Sequence, residues 1–63
     1  MAFHLGDVSI VVADQSAFIR RLLQEMLAGF GVGRIATAEN GEKAIKLFDE
    51  MDVDMLICDS MME

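Results

Sequence analysis

The sequence is poor in the residues that mark several classes of protein. Its 63 residues include no proline and one cysteine, Cys58, so an internal disulfide is excluded. Five Lys and Arg are outnumbered by eleven Asp and Glu, and this net charge of −6 argues against a protein that binds the phosphate backbone of nucleic acids. No apolar run reaches the roughly 18 residues that a membrane-spanning helix needs. The first residues also lack the basic segment of a signal peptide. We therefore expect a cytoplasmic protein.

Apolar residues, in contrast, are abundant for so short a chain. They make up 54% of the 63 residues, a length that allows one domain at most. A domain of this size buries only about 60% of the surface that its unfolded chain exposes. We therefore expect part of the apolar surface to meet another chain.

The first half of the sequence alternates between a strand pattern and a helix pattern. Residues 8–13 are β-branched and nearly all apolar, which is typical of a central parallel strand covered on both faces. Ser16 is a candidate N-cap for the helix that follows, and Gly29 and Gly31 are candidates for its end. The apolar stripe of this helix is predicted to consist of Ile19, Leu22, Leu23, Met26, Leu27 and Phe30. Charged residues, including Arg20 and Arg21, take the other face.

The second half repeats the alternation. Residues 34–38 are predicted to form a short strand at an edge of the sheet, and Asn40 can cap a second helix. The apolar stripe of that helix is predicted to be Ala44, Ile45, Phe48 and Met51. Residues 55–58 form the third predicted strand. By spacing, Met26, Met51 and Met55 are expected in the core, and Cys58 is expected to be a small buried hydrophobe.

The element order is therefore β-α-β-α-β, an α/β fold with a parallel three-stranded sheet. Right-handed crossovers and an outer second strand give the strand order 2-1-3. The first and third strands then end side by side, at the edge where open α/β sheets bind ligands. Asp14 and Asp59 follow these two strands.

Two carboxylates at neighbouring strand ends repel each other, and a hard divalent cation relieves that repulsion. Mg²⁺ suits such a site because it takes one or two carboxylates and keeps waters or phosphate oxygens as its other ligands. A carboxylate beside Mg²⁺ can also act as a nucleophile toward a phosphoryl group and form an aspartyl phosphate.

Four segments together resemble the receiver domain of two-component response regulators, of the chemotaxis-regulator kind. They are residues 11–16 (VVADQS), 20–23 (RRLL), 38–44 (AENGEKA) and 54–62 (DMLICDSMM). The resemblance covers nearly the whole chain. It implies the N-terminal half of a flavodoxin-like, doubly wound fold, so that residues 1–63 are expected to be a truncated receiver domain from the first through the third strand.

The resemblance also implies roles for individual residues. Asp59 resembles the phosphoacceptor of a sensor histidine kinase, and Asp14 resembles a direct Mg²⁺ ligand. The backbone carbonyl of Met61 resembles the third protein ligand of the metal. Ala13 is expected to stand in place of the first member of the family's acidic pair and so to weaken Mg²⁺ binding. Glu63 stands where the family usually has proline.

Several alternatives remain open. A receiver's later strands bring a Ser or Thr and a Lys that hold the phosphoryl group, so this half chain is not expected to be a competent switch, nor to be an enzyme. A pseudo-receiver that works by protein binding alone is one alternative, and a half-domain that dimerises through the edge of its third strand is another. The opening of a nucleotide- or flavin-binding enzyme is disfavoured, because no glycine-rich loop follows the first strand.

Overall fold

The computed structural model of the chain describes residues 4–58. After a single 3₁₀ turn at Leu5–Asp7, five elements alternate between strand and helix. They are β1 (Ser9–Ala13), α1 (Ala17–Gly29), β2 (Arg34–Ala38), α2 (Gly41–Glu50) and β3 (Met55–Cys58). The predicted β-α-β-α-β order is confirmed.

The three strands form one parallel sheet in the order β2-β1-β3, as predicted. β1 is therefore the central strand and pairs with both neighbours. At its carboxyl end, Ala13 lies opposite Ala38 of β2 and Cys58 of β3. All three strands thus finish at the same edge of the sheet.

Burial of β1 on both faces holds the fold together. All five of its residues are buried, and Val11 and Val12 are fully inaccessible. Because side chains alternate along a strand, Val11 and Ala13 face one side of the sheet and Val12 faces the other. On the first side, Val11 and Ala13 pack with Ala38 and with Ala44 of α2. On the second side, α1 contacts β1 and β2.

The apolar stripes of the helices are narrower than the sequence predicts. On α1, Ile19, Leu23 and Leu27 are half-buried, whereas Leu22, Met26 and Phe30 are exposed. On α2, the residues packed against the sheet are Ala44, Leu47 and Met51. Ile45 and Phe48, which were expected in that stripe, are exposed. The reason is geometric, since three strands are too few to cover more than one row of side chains on each helix.

Exposure of β3 corrects two further expectations. Met55 and Cys58 were predicted to be buried, yet both are exposed. Among the described strands β3 pairs with β1 alone, so it lies at an edge of the sheet. Met51 does pack against the core, as predicted, whereas Met26 does not.

The predicted helix ends are present. The Ser16 hydroxyl accepts a hydrogen bond from the Ile19 N–H at 3.2 Å, and the Asn40 side-chain oxygen accepts one from the Lys43 N–H at 2.9 Å. Each cap satisfies a backbone donor that the first helical turn leaves unpaired. Gly29 lies within the last turn of α1, and Gly31 is the residue that stops the helix, with a φ of 95° in the left-handed region.

Asp54 joins the amino ends of β1 and β3. Its carboxylate accepts a hydrogen bond from the Ser9 N–H at 2.8 Å, and its own N–H donates to the Ser9 carbonyl at 2.9 Å. Ser9 is buried, so its N–H has little access to water as a substitute partner. The two bonds set the register of β3 on β1, and a shift by one residue would turn every β3 side chain to the opposite face.

We expect Asp54→Ala to destabilise the fold by about 1–3 kcal/mol, the usual cost of leaving a buried backbone donor without its partner. Asp52→Ala is the matched control, because Asp52 is an exposed residue two positions earlier. Urea unfolding followed by circular dichroism measures both changes. Equal losses of stability in the two variants would show that the Asp54 bonds do not hold the register.

Candidate functional site at the carboxyl edge of the sheet

Asp14 is the first residue beyond β1, and its backbone is fixed by the sheet. Its N–H donates to the Ala38 carbonyl at 3.1 Å, so the hydrogen-bond ladder between β1 and β2 extends one residue past the strand. Asp14 is half-buried at this edge. The backbone of Asp14 is therefore fixed at the edge where open α/β sheets bind their ligands.

The turn that follows orients the Asp14 carboxylate. Its Oδ1 accepts a hydrogen bond from the Ser16 N–H at 2.8 Å, an Asx turn that leads directly into the capped start of α1. An ionised carboxylate has about four acceptor positions on its two oxygens. One N–H partner therefore leaves capacity for a cation, and Asp14 fits the role of a Mg²⁺ ligand.

Arg20 ties the same loop to α1. Its Nη1 donates to the Asp14 carbonyl at 2.6 Å and to the Gln15 carbonyl at 3.2 Å. The sequence placed Arg20 with Arg21 on the outer face of α1, and for Arg21 this is confirmed, since it is exposed and pairs with Glu25 at 3.9 Å. The missed signal was position: Arg20 lies one helical turn into α1, close enough to reach back to the loop.

The loop after β2 carries a further pair of charges. Glu39 accepts a hydrogen bond from Lys43, and both side chains are exposed. That hydrogen bond lowers the pKa of Glu39, and the charges of Lys43 and Arg20 add to the effect. Glu39 is thus engaged with cations of the protein itself. The segment acts as a turn and helix cap, as predicted.

Asp59 and Met61, the other two predicted ligands, lie outside the described residues, as does Glu63. Within residues 4–58, no group of three or more His, Cys, Asp or Glu side chains is arranged to hold a metal ion. In the sequence, Asp59 directly follows Cys58, the residue paired with Ala13. Asp14 is therefore the predicted ligand whose placement the structure gives.

Ala13 is the last residue of β1. It is 1% exposed and packs with Ala38 and Ala44 in the core on the α2 side. A carboxylate at this position would be desolvated among apolar side chains, a costly placement for a charge. That Ala13 replaces one member of the acidic pair remains a prediction.

A second group of acids lies at the opposite edge of the sheet. Asp7, Asp52 and Asp54 line an open depression there together with Arg34. Asp54 is already used in joining β1 to β3. This is the amino edge, which lacks the strand carboxyl ends at which open parallel sheets bind ligands, so it is not the candidate site.

A family model described as the response regulator receiver domain matches residues 10–63. The chain belongs to this family. The receiver is 38% identical over 53 residues to a probable transcriptional regulator, ycf27, of Cyanidium caldarium, a match covering 84% of this chain and 21% of the relative. It is 38% identical to protein-glutamate methylesterase/protein-glutamine glutaminase 1 of Oleidesulfovibrio alaskensis, covering 82% of this chain and 14% of the relative.

A third relative is a chemotaxis protein. The receiver is 32% identical over 53 residues to the chemotaxis protein CheY of Bacillus subtilis, covering 84% of this chain and 44% of that protein. The chain thus spans less than half the length of each of these relatives. No solved structure matches it. In the part of the receiver that the structure describes, no helix is long and apolar enough to cross a membrane.

Proposed function

We propose that this receiver accepts a phosphoryl group on Asp59 at a Mg²⁺ site that it shares with Asp14. The observation that carries the proposal is the register of β1 on β3, in which Ala13 is opposite Cys58. Asp14 and Asp59 directly follow these two paired residues in the sequence. Membership of the receiver family supports the same assignment.

In this proposal each residue has a separate task. The Asp59 carboxylate oxygen attacks the phosphorus of the donor, the bond from phosphorus to the donor's leaving atom breaks, and an aspartyl phosphate forms. Asp14, held by the Ser16 N–H, and the carbonyl of Met61 complete the protein ligands of Mg²⁺. When bound, Mg²⁺ supplies positive charge that neutralises the carboxylates and the phosphoryl oxygens.

The partner that fits this chemistry is a sensor histidine kinase. We expect the receiver itself to be located in the cytoplasm. We propose a signalling role rather than an enzymatic one. The three relatives differ in role: one is a probable transcriptional regulator, one a protein-glutamate methylesterase/protein-glutamine glutaminase, and one a chemotaxis protein. Its net charge of −6 argues against direct contact of this segment with nucleic acid.

The substitution that tests the proposal is Asp59→Asn. We expect it to remove most Mg²⁺ binding, because it takes away one of two carboxylates, and to abolish labelling by acetyl phosphate. Calorimetric titration with Mg²⁺ and intact-mass spectrometry make the two measurements.

Asp49→Asn is the matched control, since Asp49 is an exposed residue of α2 and carries the same charge. It should leave Mg²⁺ affinity unchanged. Mg²⁺ affinity that survives Asp59→Asn would contradict the site, and labelling by acetyl phosphate that survives it would contradict Asp59 as the phosphoacceptor. A receiver with no Mg²⁺ binding at all would favour the alternative of a module that works by protein binding alone.

A specific observation also favours self-association through β3. Met55 and Leu56 are 53% and 43% exposed, and β3 is the outer strand of the described three-stranded sheet. We propose that two copies join at this edge around a two-fold axis, the commonest closed symmetry. Each Å² of apolar surface buried between the two copies contributes about 25 cal/mol to the free energy of association. The repulsion between two acidic copies is screened beyond about 8 Å at physiological salt.

We expect Leu56→Lys to convert the dimer to monomer, because it places a charge within the joined edge. Ile45→Lys is the control, as Ile45 is an exposed apolar residue of α2 rather than of the sheet edge. Sedimentation velocity at micromolar concentration distinguishes the species. A compact, cooperatively folded monomer of the unsubstituted chain would refute the dimer, and equal dissociation by both variants would place the interface elsewhere.

A further inference from the structure

Three consecutive carbonyl groups between β1 and α1 accept hydrogen bonds from a single residue, Arg20. Its guanidinium Nη1 donates to the Asp14 carbonyl at 2.6 Å and to the Gln15 carbonyl at 3.2 Å. Its backbone N–H donates to the Ser16 carbonyl at 3.0 Å. The peptide carbonyls from the end of β1 to the N-cap of α1 are therefore all held by one residue of the helix.

Arg20 differs from its neighbour Arg21 in what its charge contacts. Arg21 is exposed and pairs with Glu25, the common arrangement for a charged residue on a helix surface. Arg20 is half-buried, and among residues 4–58 its side chain donates to loop carbonyls instead of pairing with an acid. Hydrogen bonds from a charged donor are roughly twice as strong as those between neutral groups. Arg20 therefore restrains the loop more firmly than uncharged contacts would.

The hydrogen bonds from Arg20 complete the restraints on Asp14. The Asp14 N–H donates to the Ala38 carbonyl as part of the sheet, and its carboxylate accepts from the Ser16 N–H at 2.8 Å. The peptide unit that joins residues 14 and 15 lies between that carboxylate and that N–H. Arg20 fixes the rotation of this unit, because its carbonyl is the one that Nη1 holds at 2.6 Å. The orientation of the unit decides whether the carboxylate and the Ser16 N–H can meet.

We propose that Arg20 is a positioning residue, which holds the peptide after Asp14 so that the Asp14 carboxylate keeps the orientation in which it binds a divalent cation. The cation in this inference rests on the proposed function. The orientation of the carboxylate rests on the hydrogen bonds of the loop alone. Groups that orient a metal ligand without touching the metal typically change the affinity by about 10- to 100-fold when they are removed.

The charge of Arg20 acts in the opposite direction to its hydrogen bonds. A guanidinium on the loop repels a dication, so its charge alone predicts that removing Arg20 tightens binding. Glu39 offsets part of this repulsion. The pKa of Glu39 is lowered by the hydrogen bond and the charge of Lys43 and, to a lesser extent, by the charge of Arg20. A positioning role predicts weaker binding when Arg20 is removed, so the sign of the change separates the two effects.

The test is the substitution Arg20→Met in the 63-residue chain, titrated with Mg²⁺ by calorimetry. Methionine keeps an unbranched apolar side chain but donates no hydrogen bond. We expect the affinity to fall about tenfold, at the lower end of the range for a lost orienting group. Arg21→Met is the matched control, since it removes the same charge from the next position of α1. It should leave the affinity within about twofold, as expected for an exposed charge.

The amide proton of Ser16 reports the loop without any metal. It is deshielded by its hydrogen bond to the Asp14 carboxylate, so its NMR signal should move upfield in Arg20→Met. The Ile19 amide, which donates to the Ser16 hydroxyl, should keep its shift, because that cap does not involve Arg20. In Arg21→Met both signals should stay in place. Equal movement of the Ser16 and Ile19 signals in Arg20→Met would mean that the start of α1 is lost, and would overturn a positioning role.

Arg20→Lys provides a second variant, because it retains the positive charge and a group with three donors. It should bind Mg²⁺ more tightly than Arg20→Met. Tighter or unchanged binding in Arg20→Met, an unmoved Ser16 signal, or no recovery in Arg20→Lys would each overturn the inference.

The two measurements also separate this inference from the function on which it rests. If the unsubstituted chain binds Mg²⁺ and Arg20→Met binds it equally well, the role of Arg20 is wrong and the proposed function stands. If the unsubstituted chain binds no Mg²⁺, the proposed function fails. The Ser16 signal then decides whether Arg20 orients the Asp14 carboxylate.

Discussion

Burial of β1 on both faces is the constraint on which the rest of this receiver depends. A five-residue strand without an exposed position can be satisfied only by a helix on each side and a strand on each edge. The bonds between Asp54 and Ser9 then fix how far β3 slides along β1. That register places Ala13 opposite Cys58 at the carboxyl ends of β1 and β3, so packing in the core and the arrangement of the strand ends follow from the same pairing.

Much of the fold could be predicted because the strongest patterns in the sequence have simple causes. The run from Ser9 to Ala13 is apolar at every position but its first, and that pattern indicates a central strand. Ser16 and Asn40 cap the helices because their side-chain oxygens reach the N–H three residues on. The width of the helix stripes could not be predicted, because Ile45 and Phe48 have the right spacing but a three-stranded sheet does not extend far enough to cover them.

The candidate site was less accessible to sequence reasoning, since it depends on register rather than on residue type. Asp14 could be found because it ends an apolar run. The place of Ala13 in the acidic pair remains a prediction, and the sequence alone does not show that its side chain packs with Ala38 and Ala44. The hydrogen bond from Arg20 to the Asp14 carbonyl was missed for a related reason. A charged residue on an amphipathic helix is assigned to solvent unless the conformation of the preceding turn is known. Asp59 and Met61 remain predictions, as they lie outside the described residues.

The central claim is that a divalent cation binds at the carboxyl edge of the sheet and not at the amino edge, where Asp7, Asp52 and Asp54 also gather. Paramagnetic broadening of backbone amide signals by Mn²⁺, used as a stand-in for Mg²⁺, tests it most directly, because the broadening falls steeply with distance from the ion. The account predicts that the signals of Asp14, Gln15 and Cys58 broaden first as Mn²⁺ is added. Earlier or stronger broadening at Asp7, Asp52 and Asp54 would contradict it.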